Sequence, residues 1–135
     1  MDLRTIRTKP DELAWEMGVR VRTAPTPVGW FGVYDHRRRL ITLRPGLRPA
    51  QRACTLMHEL GHANYGHEGV TAKQELLANR WAAYRLIASD DLLALAGSGM
   101  SVGEVAAALC VTPSMLETYL KMLTFQELEA LRKAA

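Results

Sequence analysis

The segment His58-Glu59-Leu60-Gly61-His62 has the residue types and spacing of a metal site on a helix. Side chains four residues apart share a helix face, so both imidazoles can point at one ion, with bonds of about 2.0–2.1 Å. Glu59 lies one step round the helix from His58, where its carboxylate can reach a water on that ion. Two histidine ligands and a glutamate base in the order H-E-x-x-H are typical of metal-assisted peptide hydrolysis.

A third ligand is expected, because catalytic zinc sites usually have three protein ligands and an open position. Glu75 follows thirteen residues after His62, in the next helical segment, and Asn79 lies one turn further on the same face. Small side chains on or beside that face would let the two helices approach closely. We therefore predict Glu75 as the third ligand, beside His58 and His62. The Asn79 carbonyl oxygen would hold a ligand histidine in its metal-binding tautomer.

Two further residues could donate a hydrogen bond to the charge that develops on the scissile carbonyl oxygen. Tyr65 lies on the histidine side of the helix, one turn past His62, and His67 follows shortly after. Two alternatives stay open: Tyr65 as an aromatic residue at the helix end packed on the sheet, and His67 as a surface residue in a turn. Cys54, one turn before His58, could compete for zinc as a thiolate. A buried cysteine on a helix is commoner, so we interpret it as a packing residue.

The pattern around these residues predicts an α+β fold. A short helix from Pro10 ends at Gly18, and three short strands follow near 19–22, 30–34 and 40–43. The last two strands are predicted to form a hairpin in a small antiparallel three-stranded sheet. We expect the strand from Trp30 to Tyr34 at the sheet edge, where an extended substrate could add. Trp15, Trp30 and Trp81 are expected in the core.

Past Gly46 the pattern becomes helical. The H-E-x-x-H helix ends at Gly66, and a second helix over 71–87 has Thr71 as its N-cap. Further helices are predicted over 89–96, 102–109, 113–122 and 124–133, with N-caps at Ser89, Ser101, Thr112 and Thr124. The Gly97-Ser98-Gly99 break divides the chain into a zinc metallopeptidase domain, 1–97, and a helical tail, 98–135.

Composition and charge restrict the class of protein. Of 135 residues, 48% are hydrophobic and 23% charged, as in an ordinary globular domain. No apolar run reaches the roughly 18 residues that cross a bilayer, and the N-terminal segment lacks the apolar stretch of a signal peptide. We therefore expect a cytoplasmic protein with no membrane contact.

Residues 1–52 hold eleven Lys and Arg against five Asp and Glu, and the run Arg37–Arg39 is interpreted as a solvated hairpin tip.

The tail suggests one alternative. Residues 101–123 resemble a helix-turn-helix, in which the second helix would read DNA. The expected exposed face of that helix carries Glu117 and Lys121, and one acid beside one base makes a poor phosphate-binding surface. We favour a tail that packs on the core or docks a partner protein over one that binds DNA.

The stretch from Asp11 to Ile87 resembles the ImmA/IrrE-type metallopeptidases of bacteria, phages and mobile elements. The matching pieces are DELAWEMGVRV, WFGVYDHRRRLITLRPGLRPAQRACTLMHELGHANYGH and QELLANRWAAYRLI, in the order of the family. The resemblance implies a gluzincin-like core with one zinc ion per chain. His58 and His62 fall on the zinc histidines and Glu75 on the glutamate ligand. Glu59 falls on the catalytic glutamate, and Asn79 on a position held by Asp or Asn.

The resemblance also implies a substrate class, which the residues themselves do not name. A protein of this kind would cleave a regulatory protein, such as the transcriptional repressor of a phage or mobile element. The alternative function is a non-proteolytic regulatory module that keeps the zinc site and acts by binding a repressor or DNA.

Overall fold

The computed structural model describes residues 9–134; residues 1–8, which belong to the predicted 1–97 unit, and Ala135 lie outside the described residues. Helices and one sheet make up this part of the chain, which confirms the α+β fold. In chain order the elements are Pro10–Glu16 (α1), Arg20–Thr23 (β1), Gly32–Asp35 (β2), Leu40–Leu43 (β3), Pro49–Tyr65 (α2), Ala72–Leu86 (α3), Ser89–Leu95 (α4), Val102–Ala108 (α5), Pro113–Met122 (α6) and Phe125–Ala134 (α7).

The sheet is mixed, which corrects the expectation that it is antiparallel throughout. β2 and β3 form the predicted antiparallel hairpin, but β1 pairs parallel to β3. The strand order is β1-β3-β2, so β3 is central. Every residue of β3 is buried, whereas β1 and β2 are largely or partly exposed. The most apolar strand therefore takes the central position, and β2, the strand of Val33 and Tyr34, becomes an edge as predicted.

Side-chain caps begin most of the predicted helices. In each case the hydroxyl oxygen accepts a hydrogen bond from the backbone N–H three residues on, as an N-cap does. The residues that do so are Thr71, Ser101, Thr112 and Thr124. Of the predicted N-caps, Ser89 is the exception, because the N-cap of α4 is Ala88. The acidic Asp90 and Asp91 lie in its first turn, where negative charge interacts favourably with the helix dipole.

One cluster of buried apolar side chains joins the sheet, α2, α3 and the C-terminal helices. The sheet contributes Ile41 and Leu43, and α2 contributes Leu56 and Leu60. The C-terminal helices and the turn between them contribute Ala106, Val111, Leu116 and Tyr119. These residues share a core with the residues before position 97, and the division at that position stays a prediction. Within residues 9–134, no helix combines the length and the apolar character needed to cross a membrane.

The prediction of three core tryptophans is wrong for two of them. Trp15 is 86% exposed and Trp30 is 45% exposed, while Trp81 is partly buried against the core. α1 is a short helix that buries Ala14. Because successive residues of a helix point about 100° apart, the neighbouring Trp15 faces away from the core.

Candidate metal centre

The centre depends on a close approach between α2 and α3. A Cβ atom at Gly61 would lie 2.9 Å from both the Cα and the carbonyl oxygen of Ala78 on α3. Ala78 is itself fully buried, as are Ala82 and Ala83 further along the same helix. Glycine facing alanine therefore lets the two backbones nearly touch. Glu75, about one turn before Ala78, is carried to the histidine face of α2.

The Glu75 carboxylate bridges the two histidines of the H-E-x-x-H segment. Its Oε1 lies 2.8 Å from Nε2 of His62, and its Oε2 lies 3.0 Å from Nε2 of His58. The two Nε2 atoms are 3.2 Å apart. Tetrahedral ligands with bonds of 2.0–2.1 Å are separated by about 3.3 Å. The donor set and its spacing therefore fit a divalent ion such as Zn²⁺ between these three side chains.

Asn79 lies behind His58, where its predicted role requires it. Its Oδ1 is 2.7 Å from Nδ1 of His58. The amide oxygen can only accept, so Nδ1 of His58 carries the proton and donates it, which leaves the Nε2 lone pair free for an ion. Burial, followed by the neighbouring His58, lowers the pKa of His62. This imidazole is therefore neutral near pH 7, as a metal ligand must be.

Glu59 occupies a separate and more buried position. It is 7% exposed, and one of its oxygens lies within 4.8 Å of ligand atoms of both His58 and His62. Burial, and secondarily the charge of Glu75, raise the pKa of Glu59 from its usual range to about 8. Glu75 bridges both Nε2 atoms, whereas Glu59 lies beside them. The two carboxylates are thus placed for different tasks.

The two candidate donors lie together at the C-terminal end of α2. Nδ1 of His67 is 2.9 Å from Nδ1 of His62, and the Tyr65 ring stacks on the His67 ring, with centroids 5.4 Å apart. His67 also lines the cleft that contains the centre. Helical spacing does not predict the contact of His67 with His62. The signal is present in the sequence as Gly66, which turns the chain back so that His67 faces His62.

The centre opens into a cleft of about 1240 Å³. One wall is the β2 edge with the residues before it, 29–34, and the floor is α2. The opposite wall comes from Ala107 of α5 and residues 111–115 at the start of α6, which sequence analysis did not place near the site. Amphipathic periodicity shows that these helices have an apolar face, but it does not show what that face meets.

Cys54 lies in the floor of the cleft, towards the wall formed by α6. It is buried, and the backbone N–H of Thr112 donates a hydrogen bond to its sulfur at 3.5 Å. Burial raises the pKa of the Cys54 thiol, so the neutral form is favoured. These contacts confirm the interpretation of Cys54 as a packing residue that joins α2 to the start of α6.

A comparison with known protein families covers the residues of this centre. The family model Peptidase_M78, described as the IrrE N-terminal-like domain, matches residues 14–121. The chain belongs to this family. The Peptidase_M78 match confirms the resemblance that the sequence motifs indicate, and it runs from α1 through both site helices into α6. No curated protein and no solved structure gives a significant match.

Proposed function

We propose that the chain is a zinc-dependent endopeptidase that hydrolyses a peptide bond in a regulatory protein such as a transcriptional repressor. One observation carries this proposal: the carboxylate of Glu75 meets Nε2 of both His58 and His62, with Glu59 buried beside them. Membership of a peptidase family supports peptide hydrolysis as the reaction at this arrangement. The repressor as substrate rests on the resemblance to ImmA/IrrE-type proteins.

In this function His58, His62 and Glu75 would hold the ion. Two imidazoles and one carboxylate are a donor set well suited to zinc. When bound, zinc supplies Lewis acidity: it polarises the scissile carbonyl and makes an attacking water more acidic. Asn79 keeps the His58 ring in the tautomer and orientation that this requires.

Glu59 acts as the general base and then as the general acid. Its carboxylate accepts the proton of the attacking water and passes it to the leaving amine. Its burial excludes bulk water from this path. Burial raises the pKa of Glu59 to about 8 in the protein alone. A cation held by the neighbouring ligands would lower this pKa and so favour the carboxylate form that accepts the proton.

The cleft is suited to an extended peptide. The β2 edge presents unpaired backbone groups beside the ligands, and a substrate strand can pair with them.

Of the two candidate donors to the carbonyl oxygen, we retain His67, because it lines the cleft while Tyr65 stacks on its ring. DNA binding by α6 is less favoured, because its exposed face carries the acidic Glu117 beside the basic Lys121, and its start forms the cleft wall.

Purified wild-type protein is expected to contain one zinc ion per chain. The His62→Ala variant is expected to bind zinc more than about 100-fold more weakly, because one of the three protein ligands is lost. Metal analysis and chelator competition measure both quantities. The control is Tyr84→Ala, an exposed residue of α3 whose loss should leave zinc affinity unchanged. Equal zinc content in wild type and His62→Ala would contradict the proposed ligand set.

Substrate cleavage gives a second expected outcome. Incubation of the protein with candidate repressors encoded by neighbouring genes should produce one discrete cut, which a chelator blocks and added zinc restores. Mass spectrometry of the fragments locates the bond. A cut that persists after complete removal of metal would show that another protease is responsible.

A further inference from the structure

The two ligand histidines are held from behind by different partners. His58 donates from Nδ1 to the side-chain oxygen of Asn79, whereas Nδ1 of His62 faces Nδ1 of His67 at 2.9 Å. An imidazole nitrogen can be donor or acceptor, so distance alone does not show which of the two facing Nδ1 atoms, that of His62 or that of His67, carries the proton. The requirement that Nε2 of His62 binds the ion decides between them.

The end of α2 fixes where His67 lies. Gly66 has a left-handed conformation, with φ 67° and ψ 34°. The N–H of His67 donates to the carbonyl of His62 at 3.0 Å, and the N–H of Gly66 donates to that of Ala63 at 3.2 Å. This pair of bonds is the Schellman motif, which characteristically brings the residue after the glycine against the residue five positions earlier. The backbone turn itself therefore sets the side chain of His67 beside His62.

We propose that His67 is a positioning residue that holds His62 in its metal-binding tautomer, an inference that rests on the proposed zinc site. For Nε2 of His62 to offer a lone pair to the ion, the proton of that ring must be on Nδ1. Nδ1–H of His62 then donates to the lone pair on Nδ1 of His67, whose own proton is on Nε2. The opposite arrangement, with His67 donating, would put a proton on the nitrogen that must bind the metal.

Two contacts keep the His67 ring in place. The Tyr65 ring stacks on it with an interplanar angle of 17°, and the His62 ring meets it edge-on with centroids 5.2 Å apart. The side chain is partly buried in the wall of the cleft. A ring held between two aromatic neighbours loses little further freedom when it accepts the hydrogen bond, so it can orient His62 effectively.

Three substitutions of His67 in the full chain test this role. His67→Ala removes the acceptor, His67→Phe keeps a stacking ring without an acceptor, and His67→Asn keeps an acceptor oxygen near the position of Nδ1. The measured quantity is the dissociation constant for Zn²⁺ by chelator competition, with the visible spectrum of the Co²⁺ form as a second readout. We expect the Ala and Phe variants to bind Zn²⁺ about 10–100-fold more weakly. The Asn variant should lie within about threefold of wild type.

Thermal unfolding of the metal-free variants separates positioning from folding. Equal melting temperatures without metal, together with weaker Zn²⁺ binding by the Phe variant, support the proposal. Wild-type affinity in the Phe variant contradicts it, as does an Asn variant as weak as the Ala variant. A wild-type chain that binds no zinc contradicts the proposed function itself, whereas unchanged affinity in all three variants contradicts only the role of His67.

Discussion

The Glu59→Gln variant is expected to bind zinc about as tightly as the wild-type protein and to lose peptide hydrolysis by about 10²–10⁴-fold. Glutamine has nearly the same shape as glutamate, so it can occupy the same buried position beside His58 and His62. Its amide cannot accept the proton of the attacking water. Metal content and the initial rate of substrate cleavage, measured on one preparation, provide the test.

The matched control for this variant is Glu117→Gln. Glu117 is an exposed glutamate on α6, outside the set of residues that line the cleft, so loss of its charge should leave the cleavage rate nearly unchanged. If Glu59→Gln binds zinc, cleaves nothing and still relieves repression in cells, the non-proteolytic binding function is supported instead. If it cleaves at the wild-type rate, Glu59 is not the general base.

Gly61→Ala should destabilise the protein by about 2–4 kcal/mol and weaken zinc binding as well. The added methyl group would meet the backbone of Ala78 at 2.9 Å, and backbone atoms cannot turn aside as a side chain can. α2 and α3 must separate, and Glu75 then moves away from both histidines. Chemical denaturation without metal and chelator competition measure the two effects.

Gly103→Ala is the corresponding control in another helix. A Cβ there would approach only the Ser101 hydroxyl, at 3.9 Å, so space is available. Alanine is the better helix former by up to about 1 kcal/mol, and this variant should be as stable as wild type or more so. A Gly61→Ala protein with unchanged stability would mean that the two helices tolerate a wider separation than this structure has.

The central part of the site could be predicted because its information is local. His58, Glu59 and His62 lie within two turns of one helix, and Glu75 and Asn79 lie one turn apart on the next. Helical periodicity alone therefore orients them. The pairing of the two helices needs one further condition, that small residues face one another, and Gly61 and the buried alanines of α3 meet it.

Features that depend on distant parts of the chain were harder to predict. The parallel pairing of β1 with β3 joins residues twenty positions apart in the chain, such as Arg20 and Leu40, so no local sequence pattern reveals its direction. The exposure of Trp15 depends on how a short helix is oriented on that core. The contact between His67 and His62 is local, but it comes from the left-handed turn at Gly66 and not from helical spacing.

The turn between α5 and α6 links the width of the cleft to the integrity of the protein. Val111 is 3% exposed as a member of the core, and it also lines the cleft opposite β2. In the proposed endopeptidase, a side chain of another size at this position would alter both the substrate residue that fits the cleft and the thermal stability of the protein. A change of substrate preference at Val111 would then need a compensating substitution elsewhere in the core.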